Sequence, residues 1–189
     1  MAVPLIDELA VEYADRYGGD RDRVHAWLRG YPASEFDPPG GGLLIGLLDD
    51  QPVTGGAFRR FDATTAELKR IWTDSRHRQR GYGKALVGQL EKEIAARGYS
   101  RIYLTTGDRQ PEAEALYLSL GYTRLEEPLS AEGEAYPVAF LKVLTSPDHR
   151  SAADPTAGGR TDARTAPDAA LKASGCVSGD RRLVDAGRC

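Results

Sequence analysis

Between residues 66 and 122 the chain reads AELKRIWTDSRHRQRGYGKALVGQLEKEIAARGYSRIYLTTGDRQPEAEALYLSLGY. Its most chemically suggestive piece is the turn Arg78-Gln79-Arg80-Gly81-Tyr82-Gly83, followed by Lys84 and an amphipathic run with Leu86, Val87, Leu90 and Ile94 on one face. A helix that starts at such a turn presents first-turn N–H groups with no partner inside the helix, together with the positive end of its dipole. Two glycines let a ligand approach that backbone closely. The chemistry this arrangement supports is binding of a diphosphate. Taken alone, the glycines are equally compatible with an ordinary helix start, so the surrounding elements decide.

Those elements follow from periodicity. Leu5, Leu9, Tyr13 and Tyr17 recur every four residues, which predicts a helix ended by Gly18-Gly19, and residues 21–29 predict a shorter one with Val24, Trp27 and Leu28 inward. Pro38-Pro39-Gly40-Gly41-Gly42 breaks the pattern. Three strand-like runs come next, at 43–48, 53–61 and 66–73, and their short polar connections imply an antiparallel meander. A helix over 82–97 capped by Gly98 leads to a strand at 102–105, which a helical crossover makes parallel to its predecessor. Pro111 opens a last helix with Ala113, Leu116, Tyr117 and Leu120 on one face, Gly121 caps it, and a strand over 135–144 closes the domain.

Composition bounds the alternatives. At 189 residues, 41% hydrophobic and 28% charged, the chain can bury one domain-sized core. A net charge of −3 argues against a nucleic-acid binder. No apolar run approaches the ~20 residues of a membrane span, and the start lacks a basic-then-apolar leader, so the expectation is a cytoplasmic protein without a membrane partner. Cys176 and Cys189 lie near the C-terminus, and His25, His77 and His149 are scattered, so no metal-ligand spacing is present. Of the histidines, His77 is near enough to the turn to touch an anion. After residue 145 the sequence has no aromatic residue and is dominated by small and polar types. The expectation is a folded domain over 1–145 and a disordered low-complexity tail over 146–189, with a short helix at most around 169–173.

The turn matches [RQ]-x-x-G-x-[GA], and with the strand and helix downstream of it the chain resembles the GNAT superfamily of acetyl-CoA-dependent N-acetyltransferases, as a bacterial small-molecule type. The resemblance covers roughly residues 5–145. It implies an α/β (α+β) fold with a mixed, mostly antiparallel central sheet flanked by helices. Only Met1-Ala2-Val3 precede Pro4, so the family's first edge strand is either missing or encoded upstream.

The resemblance also implies roles. Acetyl-CoA is the co-substrate, its diphosphate held by the backbone from Gln79 through Arg80, Gly81, Tyr82 and Gly83 to Lys84, with charge from Arg78 and Arg80. Its pantetheine arm would lie along Ile71, Trp72 and Thr73, the Ile71 N–H facing the thioester oxygen. Gln110 stands where an amide contacts the arm. Tyr117 falls on the tyrosine that protonates the departing thiolate, a nearly balanced transfer between a phenol of pKa about 10 and a thiol of about 8.5. Its plain alternative is a packed aromatic. Glu67 aligns with a general base, or is a structural ion-pair partner of Arg60 across the hairpin. Lys69, Arg70, Arg59 and Arg60 could recognise an acceptor carboxylate or form a solvated face. The implied activity is transfer of an acetyl group to a primary amine of a small molecule in a ternary complex, by a monomer or homodimer. Acetylation of protein lysines or N-termini, and a catalytically weak CoA-binding module, fit the same residues.

Overall fold

The computed structural model describes residues 3–30, 32–129, 137–144 and 172–173. Helices α1 (Val3–Tyr17) and α2 (Arg21–Arg29) and a short 3-10 turn at Ala33–Phe36 precede the strands β1 (Gly42–Leu48), β2 (Gln51–Arg60) and β3 (Thr65–Thr73). Then come α3 (Tyr82–Ala96), β4 (Arg101–Thr106), α4 (Pro111–Ser119), β5 (Thr123–Leu125), β6 (Val138–Val143) and β7 (Lys172–Ala173). The strands make one sheet in the order β5-β6-β4-β3-β2-β1-β7. Its β3–β4 pair is parallel and the other described pairs are antiparallel. The mixed, mostly antiparallel α/β architecture expected from the element order is therefore present.

Apolar periodicity places the helices. Leu86, Val87, Leu90 and Ile94 of α3 are buried in one cluster with Phe58, Leu68, Ile102 and Phe140 of the sheet. Leu5 and Leu9 of α1 and Leu28 of α2 cover Ile45 and Trp72 in a second cluster. The helices are punctuated as expected: Gly18, Gly98 and Gly121 follow α1, α3 and α4 with positive φ.

Four details depart from the sequence reading. The strand β5 was not anticipated; at three residues it is too short to show a period. Residues 172–173 are a strand rather than part of a helix, and they pair antiparallel with Gly46 and Leu47, extending the sheet beyond β1. The residue opposite Glu67 is Arg59, and Arg60 stands opposite Ala66. The turn shifts the register by one residue: Phe61 and Asp62 both donate to Thr65 O, and Asp62 Oδ1 accepts from the N–H groups of Thr64 and Thr65. Those bonds, the Thr64 N–H foremost, hold the Asp62 carboxyl down at about 2. Finally, the last strand begins at Val138, while residues 135–136 and all of the 146–189 segment except 172–173 lie outside the described residues.

Two irregularities in β3 shape everything nearby. Gly55 stands opposite Trp72 but Ala57 stands opposite Lys69, so Arg70 and Ile71 share the single facing residue Gly56. Arg70 takes up the extra residue with φ 55°, a left-handed conformation uncommon outside glycine. Gly56 leaves the space this needs, since a Cβ there would lie 2.5 Å from Ile71 Cδ1. Just before the bulge the sheet forks. β3 pairs with β4 only from Thr65 to Glu67, against Arg101 to Tyr103, although the strands continue to Thr73 and Thr106.

The helix that spans this fork is held by its buried face, and Leu90 is fully buried. Leu90→Ala should lower unfolding free energy by about 3 kcal/mol, through lost transfer energy and an unfilled cavity. Urea denaturation followed by circular dichroism measures it.

Candidate active site

The fork opens into a cavity of about 650 Å³. One end is the Arg78–Gly83 turn. Gln79 has φ 59° and Gly81 has φ 85°, so the chain enters α3 through two left-handed residues, the second of which only glycine adopts without strain. Gly81 is the N-cap residue and supplies no side-chain hydrogen bond, which leaves the first N–H groups of α3 without a cap. A Cβ on Gly83 would meet only Thr73 Oγ1 at 3.5 Å and Leu116 at 3.6 Å, so the protein itself does not require glycine there. An uncapped helix N-terminus beside an unfilled glycine surface fits a diphosphate.

Side chains around the turn are ordered by ion pairs. Arg78 donates from Nε to Thr73 O at 3.1 Å and from Nη2 to Glu12 Oε2 at 2.6 Å, tying the turn to the end of β3 and to α1. His77 lines the cavity and its Nδ1 is 3.3 Å from Asp74 Oδ1. The Arg76 guanidinium keeps the Asp74 carboxyl well below the usual carboxylate range. Arg80 is exposed and does not line the cavity, so its charge acts on a ligand only from the rim.

Ile71, Trp72 and Thr73 form the wall on the β3 side. The Trp72 indole is itself core: it is buried in the α1 cluster and donates to Glu8 Oε2 at 2.7 Å, so the strand offers a ligand its backbone at this position. Across the fork, Thr105 and Thr106 of β4, Gly107, Gln110 and Tyr117 line the opposite wall. The Gln110 amide accepts from Thr106 Oγ1 at 3.3 Å and donates to the Tyr17 hydroxyl at 3.4 Å. Tyr117 packs edge-on against Tyr122, with ring centroids 5.6 Å apart, and burial pushes its phenol pKa upward. It is therefore a packed core aromatic, as one sequence reading had it, that also lines the cavity.

Glu67 is placed differently. It is 3% exposed, does not line the cavity, and accepts from Arg59 Nε at 2.8 Å. Lys69 Nζ is 2.8 Å from its other oxygen, and Arg59 also pairs with Glu35. The carboxylate is thus the centre of a buried ion network in which Arg59 takes the part expected of Arg60.

The far end of the cavity is assembled from Tyr13 of α1, Trp27 and Leu28 of α2, Phe36 of the 3-10 turn, and Lys69 and Arg70 of β3. Periodicity identified Tyr13, Trp27 and Leu28 as inward-facing. It carried no signal that inward meant toward a cavity, and Phe36 had no local pattern at all. Burial raises the Tyr13 phenol to about 12.

An uncapped helix start is thus joined through a forked sheet to an aromatic-walled end. The chain belongs to the acetyltransferase (GNAT) family, whose family model matches residues 5–122. Among curated proteins, human N-acetyltransferase 8 is 33% identical over 81 residues, covering 43% of this chain and 34% of that protein. Zebrafish (Danio rerio) N-acetylaspartate synthetase is 31% identical over 105 residues, covering 55% of this chain and 37% of that one. The matched stretches thus span about a third of these relatives' lengths. Two solved structures share the fold. PaiA N-acetyltransferase from Thermoplasma acidophilum, solved with coenzyme A, has a TM-score of 0.60 at 16% identity, covering 75% of this chain and 92% of that one. A GNAT-family acetyltransferase from Staphylococcus aureus Mu50 has a TM-score of 0.60 at 18% identity, covering 76% and 94%.

Gly83→Asp separates anion binding from folding. The new Cβ meets only ordinary contacts, and an acidic residue in the first turn of α3 suits the helix dipole, so melting temperature should change little. A carboxylate at the anion site should abolish calorimetric binding of acetyl-CoA.

Proposed function

We propose that this protein transfers an acetyl group from acetyl-CoA to the primary amine of a small molecule, with both substrates bound together. The observation that carries the reading is the continuity of one cavity from the uncapped start of α3, along the unpaired part of β3, past Tyr117, to an aromatic-lined end between α1, α2 and the 3-10 turn. The diphosphate would take the N–H groups of Gly81 to Lys84, and the pantetheine arm would pair with the β3 backbone at Ile71 to Thr73, where β4 no longer does. The Ile71 N–H is our candidate for stabilising charge on the thioester oxygen. The apolar side chains of Trp27, Leu28 and Phe36 gathered at that end suit a small acceptor, which is our reason for favouring a metabolite over a protein segment.

In the reaction, the neutral amine attacks the thioester carbon, a C–N bond forms, and the C–S bond breaks. Tyr117 gives its phenolic proton to the leaving sulfur, and the proton released from nitrogen restores the phenol. Burial keeps that phenol protonated well above its ordinary range, so the donor is always loaded. Glu67 is assigned to structure rather than to proton removal, because two cations hold its oxygens and it does not line the cavity. The amine must then arrive unprotonated, with solvent taking its first proton.

Four outcomes test this. Acetyl-CoA at a hundredfold excess over its Kd should stabilise the fold by about 2.7 kcal/mol. Tyr117→Phe should lower turnover roughly 10²-fold with acetyl-CoA affinity little changed; full activity would remove Tyr117 from the mechanism. The pH–rate profile from 6 to 10 should rise as the acceptor amine deprotonates and show no falling limb from Tyr117. Glu67→Gln should lower stability and leave the shape of that profile unchanged. A profile that changes shape would restore Glu67 as the base.

A further inference from the structure

α1 and the loop from β4 to α4 belong to opposite arms of the fork. α1 packs on the β3 arm, where Leu5 and Leu9 share a cluster with Trp72, while the loop continues the β4 arm and lines the cavity with Gly107 and Gln110. The last turn of α1 reaches across the gap. Arg16 Nη1 donates to Arg109 O at 2.6 Å, and Arg109 Nη1 donates back to Arg16 O at 2.7 Å. Arg16 also pairs with Glu112 in the first turn of α4. At the centre of this clasp the Tyr17 hydroxyl accepts from the Arg109 N–H at 3.3 Å and from Gln110 Nε2 at 3.4 Å. The Arg109 guanidinium lies over the Tyr17 ring, 5.9 Å from its centroid. A Cβ on Gly107 would lie 1.8 Å from the Tyr17 hydroxyl, so this approach of helix to loop needs glycine. Tyr13, one turn earlier, is hydrogen-bonded to the same Gln110 side chain, but only Tyr17 also holds the loop's main chain.

We propose that Tyr17 is a positioning residue for the acyl donor: it fixes the loop that walls the β4 side of the cavity, and with it the Gln110 amide, at the separation from β3 that the pantetheine arm needs. The inference rests on the acetyltransfer reading above and adds to it a residue that does not itself line the cavity. Strand pairing between β3 and β4 stops at Glu67 and Tyr103, so ladder bonds do not set the width of the gap beyond that point. The clasp ties the two arms together where the ladder no longer does. It also fixes the amide from both ends, because Thr106 Oγ1 donates to the Gln110 oxygen at 3.3 Å while Tyr17 accepts from the nitrogen. A wall and an amide already in place reduce the ordering that must accompany binding of a flexible arm. The Tyr17 bonds lie at the surface, so losing them leaves no buried group unpaired and costs the fold little. Their effect falls on ligand affinity instead.

Tyr17→Phe tests this, since it keeps the ring and its contact with Arg109 and removes only the hydroxyl. The Kd of acetyl-CoA, measured by calorimetry, and its KM should both rise about 10-fold, the scale of one or two lost hydrogen bonds, while kcat changes by less than about twofold. Gly107→Ala attacks the same contact from the other side by displacing the hydroxyl, and it should weaken acetyl-CoA binding by a similar factor. The decisive comparison is a double-mutant cycle with Gln110→Ala. A residue that acts through the Gln110 amide has little left to lose once that amide is gone, so Tyr17→Phe should then change Kd by less than about twofold. Melting temperature is measured on every variant, and the Tyr17→Phe cycle stands whatever Gly107→Ala does to the fold. An unchanged Kd in Tyr17→Phe, losses that add in full across the cycle, or a fall in kcat at constant KM would overturn the proposal. Failure of the wild-type protein to bind acetyl-CoA would instead overturn the acetyltransfer reading itself.

Discussion

The parting of β3 from β4 is the constraint on which the rest of this structure depends. Two parallel strands would normally stay paired along their length and bury the peptide groups between them. Here β3 leaves β4 after Glu67 and carries its extra residue at Arg70 soon afterwards, and a stretch of main chain is left facing a cavity inside an otherwise well-packed sheet. Such a fork is costly unless both arms are braced. α3 braces one side through its buried aliphatic face, and α1 with α2 braces the other through Leu5, Leu9, Leu28 and Trp72. The helices that flank the sheet thus do more than fill layers; they hold open a gap that strand pairing would otherwise close.

The bracing and the site share residues. Trp72 anchors α1 by its ring while its backbone lines the cavity, Tyr117 packs with Tyr122 and Phe140 while its ring edges the same cavity, and Arg78 joins the turn to both β3 and α1. The ion network of Glu35, Arg59, Glu67 and Lys69 ties the 3-10 turn to the hairpin just before the fork. It stabilises the strand that must then diverge, which is a physical reason for a buried carboxylate at Glu67 apart from proton transfer.

Much of this was legible in the sequence because it rests on local rules. Gly81 marks a left-handed entry into a helix, Gly18, Gly98 and Gly121 mark exits, and the three hairpin strands follow from short polar connections. What escaped had no local signature. The Arg59–Glu67 pairing hangs on a one-residue register set by Asp62, and side-chain patterns on either strand read almost the same in either register. Arg80 looks identical to Arg78 in sequence, yet only Arg78 is drawn inward by Thr73 O and Glu12. The acceptor end gathers residues from α1, α2, a 3-10 turn and β3, so its composition exists only after folding. The bulge itself announces nothing, because arginine is an ordinary strand-edge residue and the room its conformation needs is left by Gly56 across the ladder.

The donors of the α3 turn belong to the main chain, and this has an evolutionary consequence. Selection there acts on conformational bias rather than on functional groups: Gln79 and Gly81 are constrained by their left-handed backbone angles, whereas the exposed Arg80 can drift as long as the turn keeps its shape. The opposite holds at the far end of the cavity, which is walled by side chains, so that each replacement there changes the cavity's shape and charge. Divergence within one scaffold can therefore retain the same acyl donor while exploring new acceptors, one substitution at a time.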